Sequence, residues 1–172
     1  MPFRPRHIFA ASLTAACLVA PSTAQADCGA AASARPASVS TASAIQATLC
    51  LLNTQRVKHR LPPLRENTKL DRAARGHSHA MVNHHYFDHG DFVGRIHRAG
   101  YGGYTLGENI AWGSLQYSTP QSIVDLWMHS PGHRANILRA KFRDIGIGIA
   151  DGAPERGVGG AATYTTDFGK PA

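Results

Sequence analysis

The sequence predicts an α+β domain in which helices pack on a small sheet. Three observations carry that expectation. Ile45, Leu49, Leu52 and Val57 recur at helical spacing, and Leu70, Ala73, Ala74, His77, Ala80 and Met81 line one face of a second helix. Ile145, Ile147 and Ile149 alternate with Gly146 and Gly148, a period-two strand pattern with one apolar face. The helices come first and the antiparallel strand candidates later, the order that suits helices layered on a sheet.

Residues 1–26 read as a secretory signal. Arg4 and Arg6 precede an almost wholly apolar run over 8–20, and Ala24-Gln25-Ala26 offers small residues where a signal peptidase cuts. The apolar run is shorter than the roughly 20 residues of a membrane span. A retained anchor and a lipoprotein acylated at Cys17 are the weaker readings. Cleavage after Ala26 predicts an exported chain, secreted or periplasmic, with no transmembrane segment. Removing 26 of the 172 residues leaves 146, enough for one domain with a proper core. The formal charge falls from +7 to +5 as Arg4 and Arg6 leave. A modestly basic surface suits anionic envelope polymers or lipids. No basic stripe with interleaved aromatics supports nucleic-acid binding.

Cys28 and Cys50 remain after cleavage, an even number in an oxidising compartment. A bridge between them would close a loop of about 20 residues, for roughly 3 kcal/mol in the chain-entropy model. Two free thiols are the alternative. Residues 27–40 are Ala/Ser/Pro-rich and read as a flexible leader, with the domain proper spanning 41–170.

The first helix stops at Leu61-Pro62-Pro63, and Asn67 caps the second. Residues 92–98 form a short helix ending at Gly100. Thr119-Pro120 is a strong helix start, a capping hydroxyl before proline at the first helical position. Ile123, Val124 and Trp127 face inward until Ser130-Pro131-Gly132 breaks that helix, with Ser130 and Asn136 as candidate caps nearby. Residues 162–168 are a strand candidate joined to the Ile145 strand by the glycine-rich 151–160, and 109–112 are a third strand.

Candidate site residues concentrate in 107–138, where a carboxylate, an amide, tryptophans and a histidine sit beside turn formers. With the turn-like Tyr86-Phe87-Asp88-His89-Gly90 upstream, the pattern predicts that His89, Glu108 and His133 meet in one cleft. Two imidazoles and a carboxylate can ligate Zn²⁺ or another divalent cation, with water in the open position. The same trio can instead hold water without metal, Glu108 accepting an imidazole N–H, or simply brace the sheet against its loops. His77 is expected half-buried beside the core, His84 and His85 at a solvated helix end, His129 beside the cleft, and His59 and His97 on the surface.

Familiar enzyme signatures are absent. There is no H-E-x-x-H and no G-x-S-x-G, and the two mature cysteines have a better use in a bridge. A Ser130–His133 dyad would need hydrogen-bond contact across a Pro-Gly turn.

The motifs together resemble a bacterial, extracellular branch of the CAP superfamily, which groups cysteine-rich secretory proteins, antigen 5 and pathogenesis-related proteins. The resemblance spans residues 45–168. It is carried by Leu52-Asn53 with Arg56, Tyr86-Phe87-Asp88-His89, Gly100-Tyr101, Gly107-Glu108-Asn109-Ile110, Trp127 with Ser130-Pro131-Gly132-His133-Arg134, and Gly146-Ile147-Gly148. It implies an α-β-α sandwich with a central antiparallel sheet, and a cleft holding His89, Glu108 and His133 with Asn109 and Ser130 at its walls. The family's second glutamate falls at Ser130 here, so the carried-over set has one carboxylate. That favours a binding module for a small apolar or envelope-derived ligand, with or without a divalent cation. A metal-dependent hydrolase of an envelope or extracellular substrate and a non-catalytic exported scaffold or stress protein are the alternatives.

Overall fold

The computed structural model describes residues 27–171, so the expected signal segment over 1–26 lies outside the described residues. Among the described residues the chain forms α1 (Thr41–Lys58), β1 (Arg65–Glu66), α2 (Thr68–His84), α3 (Phe92–Arg98), β2 (Leu106–Ser114), α4 (Pro120–His129), α5 (Pro131–Ile137), β3 (Asp144–Asp151) and β4 (Ala161–Gly169). The sheet order is β1-β3-β4-β2. The strands β3, β4 and β2 are antiparallel neighbours, and the two-residue β1 adds a parallel edge to β3 that the sequence did not announce.

The layers follow from which side chains each strand face presents. Ile145, Ile147 and Ile149 with Ala111, Tyr164 and Phe168 pack on Leu52 of α1, Trp127 of α4 and Ile137 of α5. On the opposite face α2 and α3 cover the sheet, with Leu70, Ala73, Ile96 and Tyr101 in a second cluster. The molecule is therefore an α-β-α sandwich. The isoleucine strand differs from expectation in one respect: both its faces are buried. An ideal Cβ on Gly146 would sit 2.0 Å from the Leu70 carbonyl carbon, and one on Gly148 2.3 Å from that of Ala74. These glycines are the points where α2 lies directly on the strand, a close approach that only a residue without Cβ allows.

Local signals placed the helices well. Asn67 Oδ1 accepts the Lys69 N–H, and Thr119 Oγ1 accepts the Ser122 N–H ahead of Pro120. Asp91 adds a cap to α3 by accepting from Gly94. The second pair of expected caps is corrected. Ser130 occupies the N-cap position of α5 without a side-chain cap bond, and Asn136 lies inside α5 with its amide turned to β2.

Residues 29–40, expected to be a loose leader, instead form two 3-10 turns that bury Ala32 and Pro36. The Cys28–Cys50 disulfide ties this segment to α1. A further brace runs from α1 to the segment after α5. Fully buried Arg56 donates from Nε to the Pro62 carbonyl, from Nη1 to those of Ile137 and Arg139, and from Nη2 to that of Phe142.

Candidate functional site

The site lies where β2 forms the free edge of the sheet. Along a strand successive side chains point to opposite faces, so Glu108 and Asn109 diverge. Glu108 points to the α2/α3 side. Asn109 points to the α5 side, where its Nδ2 donates to the His133 carbonyl at 3.1 Å and its Oδ1 accepts from Asn136 at 2.9 Å. The outward carbonyls of the edge strand are also closed: Asn136 donates to that of Glu108 and Trp127 Nε1 to that of Ile110. This clamp fixes α5, and hence His133, against β2.

Glu108 has no exposed side-chain surface, and both its oxygens are occupied. His89 Nδ1 donates to Oε1 at 2.7 Å, while the Arg95 guanidinium of α3 pairs with Oε2. The carboxylate fixes the imidazole with Nδ1–H inward, leaving Nε2 for the open side. The His89 ring keeps 48% of its surface exposed and meets Phe92 edge-on at 6.5 Å. Arg95 also donates to the His89 carbonyl at 3.3 Å, so one residue braces both the acid and the turn that carries the histidine. The expected His89–Glu108 contact is therefore formed.

His133 approaches from the other side. Its ring lies 6.5 Å from Trp127, and its Nδ1 is buried without a hydrogen-bond partner among the described residues. Burial depresses its pKa, and the nearby His89 adds to the effect. No hydrogen bond joins His133 to Glu108 among the described residues. Ser130 forms the partly exposed corner between α4 and α5, donating its backbone N–H to Trp127 and accepting from Arg134.

The trio does not fit a three-ligand cation site as arranged. Glu108 presents no free oxygen: Oε1 accepts from His89 and Oε2 faces the Arg95 guanidinium. Among the described residues no three His, Cys, Asp or Glu side chains are grouped to hold a metal ion.

Three contributors to the site escaped the sequence reading. Arg95 is one, and nothing distinguishes it from the other basic residues of α3. His77 is the second: expected half-buried, it is buried, donating from Nε2 to the Asp88 carbonyl at 3.0 Å and so fixing the turn before His89. Burial lowers its pKa, with Arg95 and His89 acting the same way and the Glu108 charge opposing. Asp167 is the third and most consequential. It sits directly opposite Glu108 in the β2–β4 register, on the same sheet face, and is fully buried. Burial and then the Glu108 charge push its pKa well up. The carboxylate missing at Ser130 thus has a counterpart on β4, although it is enclosed. An aspartate inside a strand otherwise rich in threonine and aromatics was the available signal, since Asp is depleted in strands.

The remaining histidines are peripheral. His84, His85 and His59 are exposed, and His97, also exposed, donates to the Gly103 carbonyl. His129 lines a hollow of about 450 Å³ with Trp112, Tyr117 and Leu126.

A sequence model of the cysteine-rich secretory protein family (CAP) matches residues 49–166. Over 106 residues, 59% of this chain, the sequence is 39% identical to the uncharacterized protein YkwD of Bacillus subtilis and 32% identical to that organism's uncharacterized membrane protein YlbC. The matches span 40% and 30% of those two proteins, so this chain is similar to only part of each. Among solved structures, it is similar to an extracellular protein containing an SCP domain from Bacillus anthracis, with TM-score 0.64 and 30% identity over 73% of this chain and 40% of that one. It also shares its fold with an outer surface protein of Borrelia burgdorferi, at TM-score 0.67 and 18% identity over 78% of this chain and 97% of that one.

Proposed function

The chain belongs to the cysteine-rich secretory protein family, and from that premise we propose that it is an exported binding module that captures a small apolar or envelope-derived ligand at the His89 cleft. The observation that carries this reading is the half-exposed His89 imidazole, held by a buried Glu108 so that Nε2 faces outward. Large apolar surface lies close in the chain: Tyr86 is 38% and Phe87 46% exposed just before His89, and Val93 of α3 is 42% exposed. A single oriented hydrogen-bonding group beside exposed apolar side chains is the usual composition of a small-ligand site. Export is supported by the basic-apolar start of the sequence and by the Cys28–Cys50 bridge, a bond that persists in oxidising compartments. The extracellular and outer-surface descriptions of two similar structures agree with it. Among the described residues no helix is long and apolar enough to cross a membrane.

Glu108 acts here by orienting His89, a task that needs one carboxylate and no metal. The test is retention of residues 27–172 on phospholipid vesicles, on a fluorescent long-chain fatty acid and on purified cell-wall sacculi, beside His89→Ala. The expected result is binding to one of the three that falls at least fivefold in the variant. Binding to none, or equal binding by both proteins, overturns the proposal.

A further inference from the structure

Two carboxyl groups meet in the interior of this site, and their surroundings are unequal. Glu108 receives two N–H donors, from His89 and from Arg95. Asp167 receives none: both its oxygens are buried and without a donor among the described residues. The register makes the two residues direct cross-strand neighbours, and the third strand contributes only Gly146 at the same level. The charged and titratable groups around the pair are Arg95 from α3, His89 from the turn before α3 and His77 from α2. Two ionised carboxylates in contact, shielded from water and sharing one guanidinium, would leave one negative charge unpaired in the interior.

We propose that Asp167 is held as the neutral acid and donates its O–H to the Glu108 carboxylate, which makes it the positioning residue of the His89 site. The proton lies on Asp167, the negative charge on Glu108, and Arg95 balances that charge. A chain of donors then runs from both ends into one carboxylate: the Asp167 O–H, the Arg95 guanidinium and the His89 Nδ1–H. Three donors fix Glu108 against rotation, and Glu108 in turn fixes the tautomer and direction of the exposed imidazole. The burial-driven upward shift of the Asp167 pKa agrees with this assignment. A hydrophobic residue at 167 could fill the space but would remove one of the donors. The inference rests on the proposed ligand site only for the importance of His89.

The test reads the proton directly and involves no ligand. At pH 7 the infrared spectrum of the folded protein is expected to contain the carbonyl stretch of one buried carboxylic acid, lost in Asp167→Asn. The amide of Asp167→Asn can still donate to Glu108, so the ¹⁵N shifts of the His89 ring are expected to match wild type, whereas Asp167→Val should move them. Absence of an acid band in the wild type overturns the proposal. So does a band kept in Asp167→Asn, which would place the proton on Glu108. Unchanged His89 shifts in Asp167→Val would remove the positioning role. None of these outcomes depends on which ligand binds.

Discussion

Replacing Arg56 by methionine should destabilise the domain by about 3 kcal/mol, and the figure can be built from its contacts. The guanidinium serves four carbonyls, at 2.9 Å (Pro62), 2.7 Å (Ile137), 3.2 Å (Arg139) and 3.1 Å (Phe142). Two of these keep another donor when Arg56 is lost. The Phe142 carbonyl still accepts from Arg143 Nη1 at 2.8 Å, and the Arg139 carbonyl from the Phe142 N–H at 3.2 Å. The carbonyls of Pro62 and Ile137 lose their side-chain donor. An unpaired buried acceptor costs about 1–3 kcal/mol, as at Ile137, and the part-buried carbonyl of exposed Pro62 costs less, so the two together cost about 2–4. Removing a buried cation with no carboxylate partner returns part of this, because its desolvation was unfavourable. Methionine fills much of the same volume with apolar atoms and limits the cavity term. With a urea m-value of about 2 kcal/mol per molar, the midpoint should fall by about 1.5 M. Arg56→Lys should lie between the two proteins, since one ammonium cannot span four carbonyls in a fixed fork. A midpoint shift under about 0.3 M with unchanged slope would mean that water satisfies these carbonyls as well as Arg56 does.

Two glycines should respond oppositely to alanine in the same unfolding assay. Gly148→Ala should cost about 3 kcal/mol, because its Cβ would lie 2.3 Å from the Ala74 backbone and α2 would have to lift. Gly76→Ala has no atom within 4 Å and lies within α2, so it should stabilise by about 0.5–1 kcal/mol. The histidines give a pH signature with a defined sign. Burial lowers the pKa of both His77 and His133, so the unfolded chain takes up their protons first on acidification. Their contribution is complete above the ordinary histidine value of about 6.5 and is withdrawn as pH falls through the folded values. Asp71 and Asp167, whose values burial raises, act in the opposite direction, and both proteins in the comparison retain them. Comparison of pH 7 with pH 5 should therefore show the urea midpoint of a His77→Gln/His133→Gln protein gaining relative to wild type. Parallel behaviour of the two proteins would remove these histidines as the source.

Much of the scaffold was legible in the sequence because its signals are local. The Asn67 and Thr119 caps, Pro120 at a first helical position and the apolar spacing of α2 act within a few residues of the structure they specify. The helix α1 forms as expected, but Val57 of its expected apolar face is 61% exposed and its buried face runs through Ala44, Ala47, Thr48, Leu52 and Arg56. The two-period isoleucines announced β3 in the same way. His89 with Glu108 was legible too, since turn-flanked polar groups stand out against helical and strand patterns, and the ordered motifs pointed to the family. What periodicity misread was the second face of β3. Gly146 and Gly148 are where α2 rests on the sheet, and only packing distinguishes an empty face from a glycine contact. The resemblance likewise fixed one carboxylate at Glu108 and a gap at Ser130. It could not supply Asp167, because that residue reaches Glu108 through the register of two strands far apart in the chain. Arg95 is a similar case: its helix carries several basic residues, and the one that pairs with Glu108 is chosen by where α3 docks. Local sequence signals were enough for the main helices, for β3 and for the histidine to orient. Tertiary structure decided what orients it, because a buried charge is defined by its neighbours across strands and helices, and those are set by register and docking.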